Sequence, residues 1–320
     1  MMISIIMITY GHEKFIGQAI EGVLKQEISF PIELIIADDC SPDGTETIVQ
    51  SYIENHPNGH WVKYTKHAFN KGINENFKWA FELCKGKYIA MCEGDDYWTD
   101  SHKLQKQVDF LENNKEFSFC FHEIDKINSQ GSLLKRGESP SNLFSEESKF
   151  SPNRVLAFGM FINTCSLVFR NSDNIFRNYG NSPNLPFGDK TLEKILALEG
   201  WAYCFRESMA NYRINEESIT QTKNWKEYGI KKTCQDHIDL YCYLKSLTTI
   251  NEQRIIIDRV IRRYSDKYKY FNLLWFFAPN SICLIYIYSD KNIVKFLRYY
   301  YRELEEGFKR FVVKYIFRKI

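Results

Sequence analysis

The chain has 320 residues, 44% of them apolar, and a net charge of +2 at pH 7. That leaves room for one large α/β unit plus an extension, and it excludes a polycation built for nucleic acid. Nine cysteines without a C-x-x-C pair or zinc-like spacing exclude a disulfide framework and fit free thiols in a reducing cytoplasm.

Ile3–Ile8 is a short β-branched run without charges and reads as a buried strand. No basic segment precedes it, and it is too short for a signal peptide. Thr9-Tyr10-Gly11-His12 breaks the run. Phe15, Ile16, Ala19, Ile20, Val23 and Leu24 then recur at helical spacing. Ile32–Ala37 is a second strand and ends at Asp38-Asp39. Ser41-Pro42-Asp43-Gly44 is a turn into a helix, with Ser41 or Asp43 as the cap. Trp61–Thr65 is a third strand, and Asn70-Lys71-Gly72 is a turn. Ile73, Phe77, Ala80, Phe81 and Cys84 mark the next helix. Tyr88–Cys92 is a fourth strand, followed at once by Glu93, Asp95 and Asp96. Leu104, Val108 and Leu111 face inward from the helix after it.

Strand and helix thus alternate four times, which predicts a parallel sheet covered on both faces. The second half is less regular. Phe117–His122 reads as a strand and Glu123–Lys149 as a hairpin with a loop. Asn163–Phe169 reads as a strand, and Phe187-Gly188-Asp189 opens a helix. Trp201–Phe205 and Met209–Arg213 read as two short strands. From Lys223 onward the pattern is helical.

Two of the four strands end in acids, and parallel order puts both clusters on one sheet edge, where ligands of open α/β sheets bind. Buried strands do not hold unpaired charges, so the acids must sit outside the strand. Clustered carboxylates suit Mg²⁺ or Mn²⁺. A dinucleotide fold would need G-x-G-x-x-G after the first strand, and only Gly11 stands there. With no P-loop either, phosphates would be held by a metal. Asp38-Asp39 also fits a plain turn with a cap, and Asp189 a plain helix cap.

Ser4–Tyr10, Gln26, Ile35–Thr45, Asn70-x-Gly72 and Tyr88–Trp98 together resemble family 2 glycosyltransferases. Glu-Gly-Asp-Asp-Tyr-Trp followed by Lys103-Leu104-Gln105-Lys106-Gln107 resembles a bacterial surface-polysaccharide subgroup. The resemblance is strong over residues 1–112 and weaker over 113–220. It implies a GT-A fold: an α/β, Rossmann-like mixed sheet with helices on both faces, here with a helical C-terminal extension. Residues 1–220 would form the catalytic domain, divided into a nucleotide-sugar half (1–115) and an acceptor half (116–220). Residues 221–320 would be the extension.

The resemblance also implies site residues. Thr9, Tyr10, Asp38, Asp39, Asn76, Glu93 and Asp95 would bind the nucleotide sugar. Asp39 would meet the base and Glu93 the ribose, with Glu93 in place of the family's first Asp. Asp95, with Asp96 beside it, would hold Mn²⁺ or Mg²⁺ on the diphosphate. Asp189 would be the catalytic base, with Asp100, Asp109, Glu193 and Glu199 as rivals. Asn215 stands where the family has His, and Arg213 would neutralise phosphate. The expected reaction is inverting transfer from a UDP-sugar to a glycan or polyprenyl-linked hydroxyl. A nucleotidyltransferase and a non-catalytic sugar- or lipid-binding protein are the alternatives.

Phe271–Tyr288 carries no charged residue, and Lys295–Ile320 holds eight Lys/Arg against three Glu. Asn272, Pro279, Asn280 and Ser281 interrupt the first stretch. An interfacial hairpin and a basic amphipathic helix would place the protein peripherally on the cytoplasmic leaflet. The competing reading is a solvated helix packed on the catalytic domain.

Overall fold

The computed structural model describes residues 2–138, 148–159, 162–185, 187–214 and 224–277. Its first half follows the alternation read from the sequence. Strands β1 (Ile3–Thr9), β2 (Ile32–Asp38), β3 (Val62–Lys66) and β4 (Tyr88–Met91) alternate with helices α1 (Ile16–Leu24), α2 (Thr45–Asn55) and α3 (Ile73–Glu82). Because side chains alternate along a strand, β1 serves two cores. Ile3, Ile5 and Met7 pack with Ile16, Ile20 and Val23 of α1. Ile6 faces the other way, toward Phe77 and Phe81 of α3.

The second half adds β5 (Tyr97–Trp98), α4 (Lys103–Asn113), β6 (Phe117–Asn128), β7 (Leu133–Glu138), β8 (Lys149–Phe150), α5 (Pro152–Phe158) and β9 (Val168–Arg170). Helices α6 (Asp173–Gly180) and α7 (Gly188–Glu199), strand β10 (Trp201–Ile214), and helices α8 (Asn224–Leu247) and α9 (Asn251–Phe277) follow. The sheet runs β3-β2-β1-β4-β9-β6-β10-β5, with β7 on β6 and β8 on β10. The first four strands are parallel. β9 is antiparallel to both β4 and β6, so β6 runs in the same direction as β4. The result is the expected mixed sheet.

Two expectations are corrected. Asn163–Phe169 is not one strand. Residues Thr164–Ser166 form a 3-10 turn, because the Ser166 hydroxyl donates to the Asn163 carbonyl at 2.7 Å and competes with the ladder. Trp201–Phe205 and Met209–Arg213 are one strand, β10. The exposed polar stretch Arg206-Glu207-Ser208 lies where its register on β6 shifts, so the pattern breaks while the strand continues.

The chain forms two compact units, Met1–Tyr264 and Ser265–Ile320. In the first, Leu240, Tyr241 and Leu244 of α8 and Ile257 and Val260 of α9 are buried in the same core as α3 and α7. No helix among the described residues is long and apolar enough to cross a membrane. Residues 271–277 continue α9. The rest of the expected interfacial segment, the whole basic helix and Asn215 lie outside the described residues.

Candidate active site

The parallel register sets Thr9 beside Asp38 and Asp38 beside Lys66, so three strands end in one row. The chain turns sharply after β2, with Cys40 at φ +67°. Asp38 is fully buried and holds this turn together. Its Oδ1 accepts from the Ser41 amide at 2.7 Å and its Oδ2 from the Tyr64 hydroxyl at 2.7 Å. Burial and then that bond push the Tyr64 hydroxyl upward in pKa. Ser41 in turn accepts from the Gly11 amide at 3.0 Å.

Asp39 turns the other way. Its two oxygens accept from the amides of Lys71 at 2.7 Å and Gly72 at 2.9 Å, which fixes the turn before α3. Asn76 is buried, with its Nδ2 on the Ala37 carbonyl at 2.9 Å and its Oδ1 against His67 Nε2 at 3.0 Å. Asn76 and Asp38 therefore brace the end of β2, while Tyr10 stands half exposed beside it.

The second acid cluster follows β4. The Gly94 amide donates to the Ile8 carbonyl at 3.1 Å, which brings the loop against the end of β1. A Cβ on residue 94 would lie 2.7 Å from Thr9 Oγ1, 2.8 Å from His12 Nδ1 and 2.9 Å from Ile16 Cδ1. Only glycine fits that approach. Thr9 Oγ1 and His12 Nδ1, and Oε2 of the adjoining Glu93, are buried without a hydrogen-bond partner among the described residues. Unpaired buried polar atoms are costly, and their clustering marks a polar ligand site. Burial raises the Glu93 carboxyl to about 7, with the Asp95 and Asp189 charges adding and a hydrogen bond from Thr164 opposing.

Asp95 and Asp96 separate. The Asp95 carboxylate is half-buried and makes no hydrogen bond among the described residues, whereas Asp96 is buried and points inward. Asp96 Oδ1 accepts from the Arg213 amide at 2.8 Å, and burial pushes its carboxyl well up, helped by Asp95 and Glu93. Arg213, expected on phosphate, is also buried. Its guanidinium donates to the Asp95 carbonyl at 2.9 Å, to Gln18 Oε1 at 2.8 Å and to the Asn128 and Ser129 carbonyls, and it lies 4.5 Å over Phe15. It is thus a brace from β10 to the acid loop.

Asp189 stands exposed in the first turn of α7, and its charge is felt at Glu93. The rivals are otherwise engaged or distant. Glu193 is buried against Lys194 at 2.7 Å, Asp100 pairs with Lys106 at 2.8 Å, and Asp109 accepts from Gln105 at 2.8 Å. Glu199 ends α7, nearly three turns beyond Asp189. The residues that sequence reasoning missed are His12 and Thr164. The signal for His12 was its place three residues past Thr9 in the same strand-end loop.

Among the described residues, no three His, Cys, Asp or Glu side chains converge as a metal cage. Mg²⁺ and Mn²⁺ on a diphosphate need only one or two carboxylates, with phosphates and water completing the shell. Asp95, with its uncommitted carboxylate beside three orphaned polar atoms, fits that arrangement.

The sequence pattern of glycosyl transferase family 2 matches residues 4–176, more than half of the chain. The chain belongs to this family. It is a glycosyltransferase. An uncharacterized protein of Mycobacterium tuberculosis is 34% identical over 246 residues, covering 74% of this chain and 68% of that one. UDP-Glc:alpha-D-GlcNAc-diphosphoundecaprenol beta-1,3-glucosyltransferase WfaP of Escherichia coli is 32% identical over 126 residues, 39% of this chain and 47% of that one. The crystal structure of S. aureus TarS in complex with UDP-GlcNAc superposes with a TM-score of 0.63 at 17% identity, over 89% of this chain and 76% of that one. That likeness gives this glycosyltransferase the GT-A fold.

Proposed function

We propose that this family 2 glycosyltransferase moves a sugar from a UDP-sugar to a hydroxyl of a glycan or lipid-linked acceptor, with inversion, in bacterial surface-polysaccharide synthesis. The observation that carries this reading is the row of strand ends at which the orphaned Thr9 Oγ1 and His12 Nδ1 close on Gly94, next in sequence to the orphaned Glu93 Oε2, with Asp189 near enough for its charge to act on Glu93. The nucleoside lies along Thr9, Tyr10 and Asp39, and the diphosphate lies at Glu93–Asp95. Asp95 would hold Mn²⁺ or Mg²⁺, which would offset charge on the leaving diphosphate. Asp96 holds the loop. Asp189 takes the proton of the acceptor hydroxyl as its oxygen bonds to the anomeric carbon and the bond to the diphosphate breaks. WfaP, whose name gives a UDP-sugar and a diphosphoundecaprenol acceptor, supports this choice of donor and a lipid-linked acceptor.

The test pairs binding with turnover. UDP-sugars should raise the melting temperature only when Mn²⁺ or Mg²⁺ is present. Asp189→Asn should keep that shift and lose transfer by about 10²–10⁴-fold, the usual worth of a general base. Undiminished transfer in Asp189→Asn would remove Asp189 from this role.

A further inference from the structure

Lys103 occupies a place that a cation should avoid. It is fully buried, no carboxylate among the described residues pairs with it, and it begins α4, where the helix dipole opposes positive charge. Its Nζ lies 4.1 Å over the Trp98 ring and donates to Gln107 Oε1 at 2.7 Å. An amide has an accepting end and a donating end, and lysine can only donate. Lys103 therefore dictates which way Gln107 faces. The Gln107 Nε2 is turned to the Ser166 carbonyl, to which it donates at 3.0 Å. Trp98 Nε1 grips the preceding carbonyl, that of Cys165, at 2.8 Å.

These two bonds hold the 3-10 turn Thr164–Ser166 from beneath. From above, the turn meets the acid loop: the Leu167 carbonyl that follows it accepts from the Met91 amide at 3.3 Å, two residues before Glu93, and Thr164 and Cys165 lie near enough to act on the Glu93 and Asp96 carboxyls. The chain of contacts is continuous: Lys103 orients Gln107, Gln107 and Trp98 fix the turn, and the turn aims Glu93.

We infer that Lys103, Gln107 and Trp98 are positioning residues of the donor site, which hold the Thr164–Ser166 turn so that Thr164 orients Glu93 toward the nucleotide sugar. This rests on the donor-site reading given above. It explains why a buried cation stands where methionine would pack at lower cost.

The test separates positioning from simple stability, with UDP and Mn²⁺ as the probe. Binding is measured by calorimetry at pH 7 and folding by urea titration on the same proteins. Lys103→Met should unfold at the same or a higher urea concentration than wild type, yet bind UDP with Mn²⁺ at least tenfold more weakly. Gln107→Glu gives Lys103 an anion but removes the donor to Ser166, so it too should gain or hold stability and lose binding. Thr164→Val should reproduce the loss, and the Lys103→Met/Thr164→Val pair should bind no worse than the weaker single variant. Binding within twofold of wild type in folded Lys103→Met and Gln107→Glu would overturn the inference. If Lys103→Met does not fold, Gln107→Glu and Thr164→Val decide by the same criterion. Failure of wild type to bind UDP with Mn²⁺ would instead overturn the donor-site reading, and this inference would fall with it.

Discussion

An alanine at position 94 would push a methyl group to within 2.7 Å of Thr9 Oγ1 and 2.8 Å of His12 Nδ1. Neither neighbour is a free chain end, since Thr9 closes β1 and His12 accepts two amides of the following turn through its carbonyl. Gly94→Ala should therefore cost about 1–3 kcal/mol in urea titration, as overpacking does. It should also weaken UDP binding more than that loss of stability accounts for. The acids themselves were legible, because a run of apolar residues that stops at carboxylates announces a strand end. Which acid does what was not. Asp38 and Asp39 are neighbours of the same type. Only the fold reveals that Tyr64 reaches one and the Asn70–Gly72 turn the other. Lys103 was equally opaque, since a lysine in a helix is normally read as solvated.

Lys103 also carries a pH prediction. Burial lowers its ammonium to about 8, and Cys92, Cys165, Cys120 and Asp100 face it. His122 lies near enough to feel its charge and stays neutral through burial. An unfolded lysine keeps its proton to about 10.4. Below pH 8 both states are protonated, so the cost of the buried charge is fully present. Between pH 8 and 10.4 the unfolded chain binds more protons, and folded stability from this group rises. The gap of roughly 2.4 units corresponds to about 3 kcal/mol. The urea midpoint of wild type should thus gain on that of Lys103→Met between pH 7 and 10. A constant difference would mean that Lys103 keeps an ordinary pKa.

At the scale of elements, the four βα units were readable because each strand is apolar on both faces and each helix carries one stripe. β10 was not, for its polar middle broke the period while its pairing to β6 went on. The last residues of that strand matter most to the site. Arg213 ties β10 to the Asp95 carbonyl, to Gln18 on α1 and to the turn after β6. Arg213→Met keeps the contact with Phe15 but loses every guanidinium hydrogen bond. Bonds to charged donors are worth about 1.5–3 kcal/mol each before relaxation. The variant should be destabilised by at least about 3 kcal/mol. UDP binding should fall in parallel, and Arg213→Lys should restore little of either, since one ammonium cannot span these partners.

For the whole molecule, the sequence placed the end of the catalytic domain at residue 220, between β10 and α8. The first compact unit runs to Tyr264. The aromatic and basic composition of the last hundred residues drew attention to membranes and hid a packing role within α8 and α9. The last turn of α5 shows that role. Its carbonyls stand at the end of the helix ladder, where Val155 O accepts from the capping Gly159 amide at 2.9 Å. Val155 O accepts from Lys194 of α7 at 2.8 Å, Leu156 O from the Tyr241 hydroxyl of α8 at 2.6 Å, and Ala157 O from Arg263 of α9 at 2.6 Å. Leu240, Tyr241, Leu244, Ile257 and Val260 are buried around them. At about 1.5–3 kcal/mol each, five such side chains contribute roughly 10 kcal/mol. That is of the order of a domain's entire stability, about 5–15 kcal/mol. A chain ending at residue 223 should therefore show no cooperative unfolding transition, while one ending at residue 277 should unfold cooperatively and bind UDP with Mn²⁺. Equal urea midpoints for the two chains would show that α8 and α9 are dispensable to the fold.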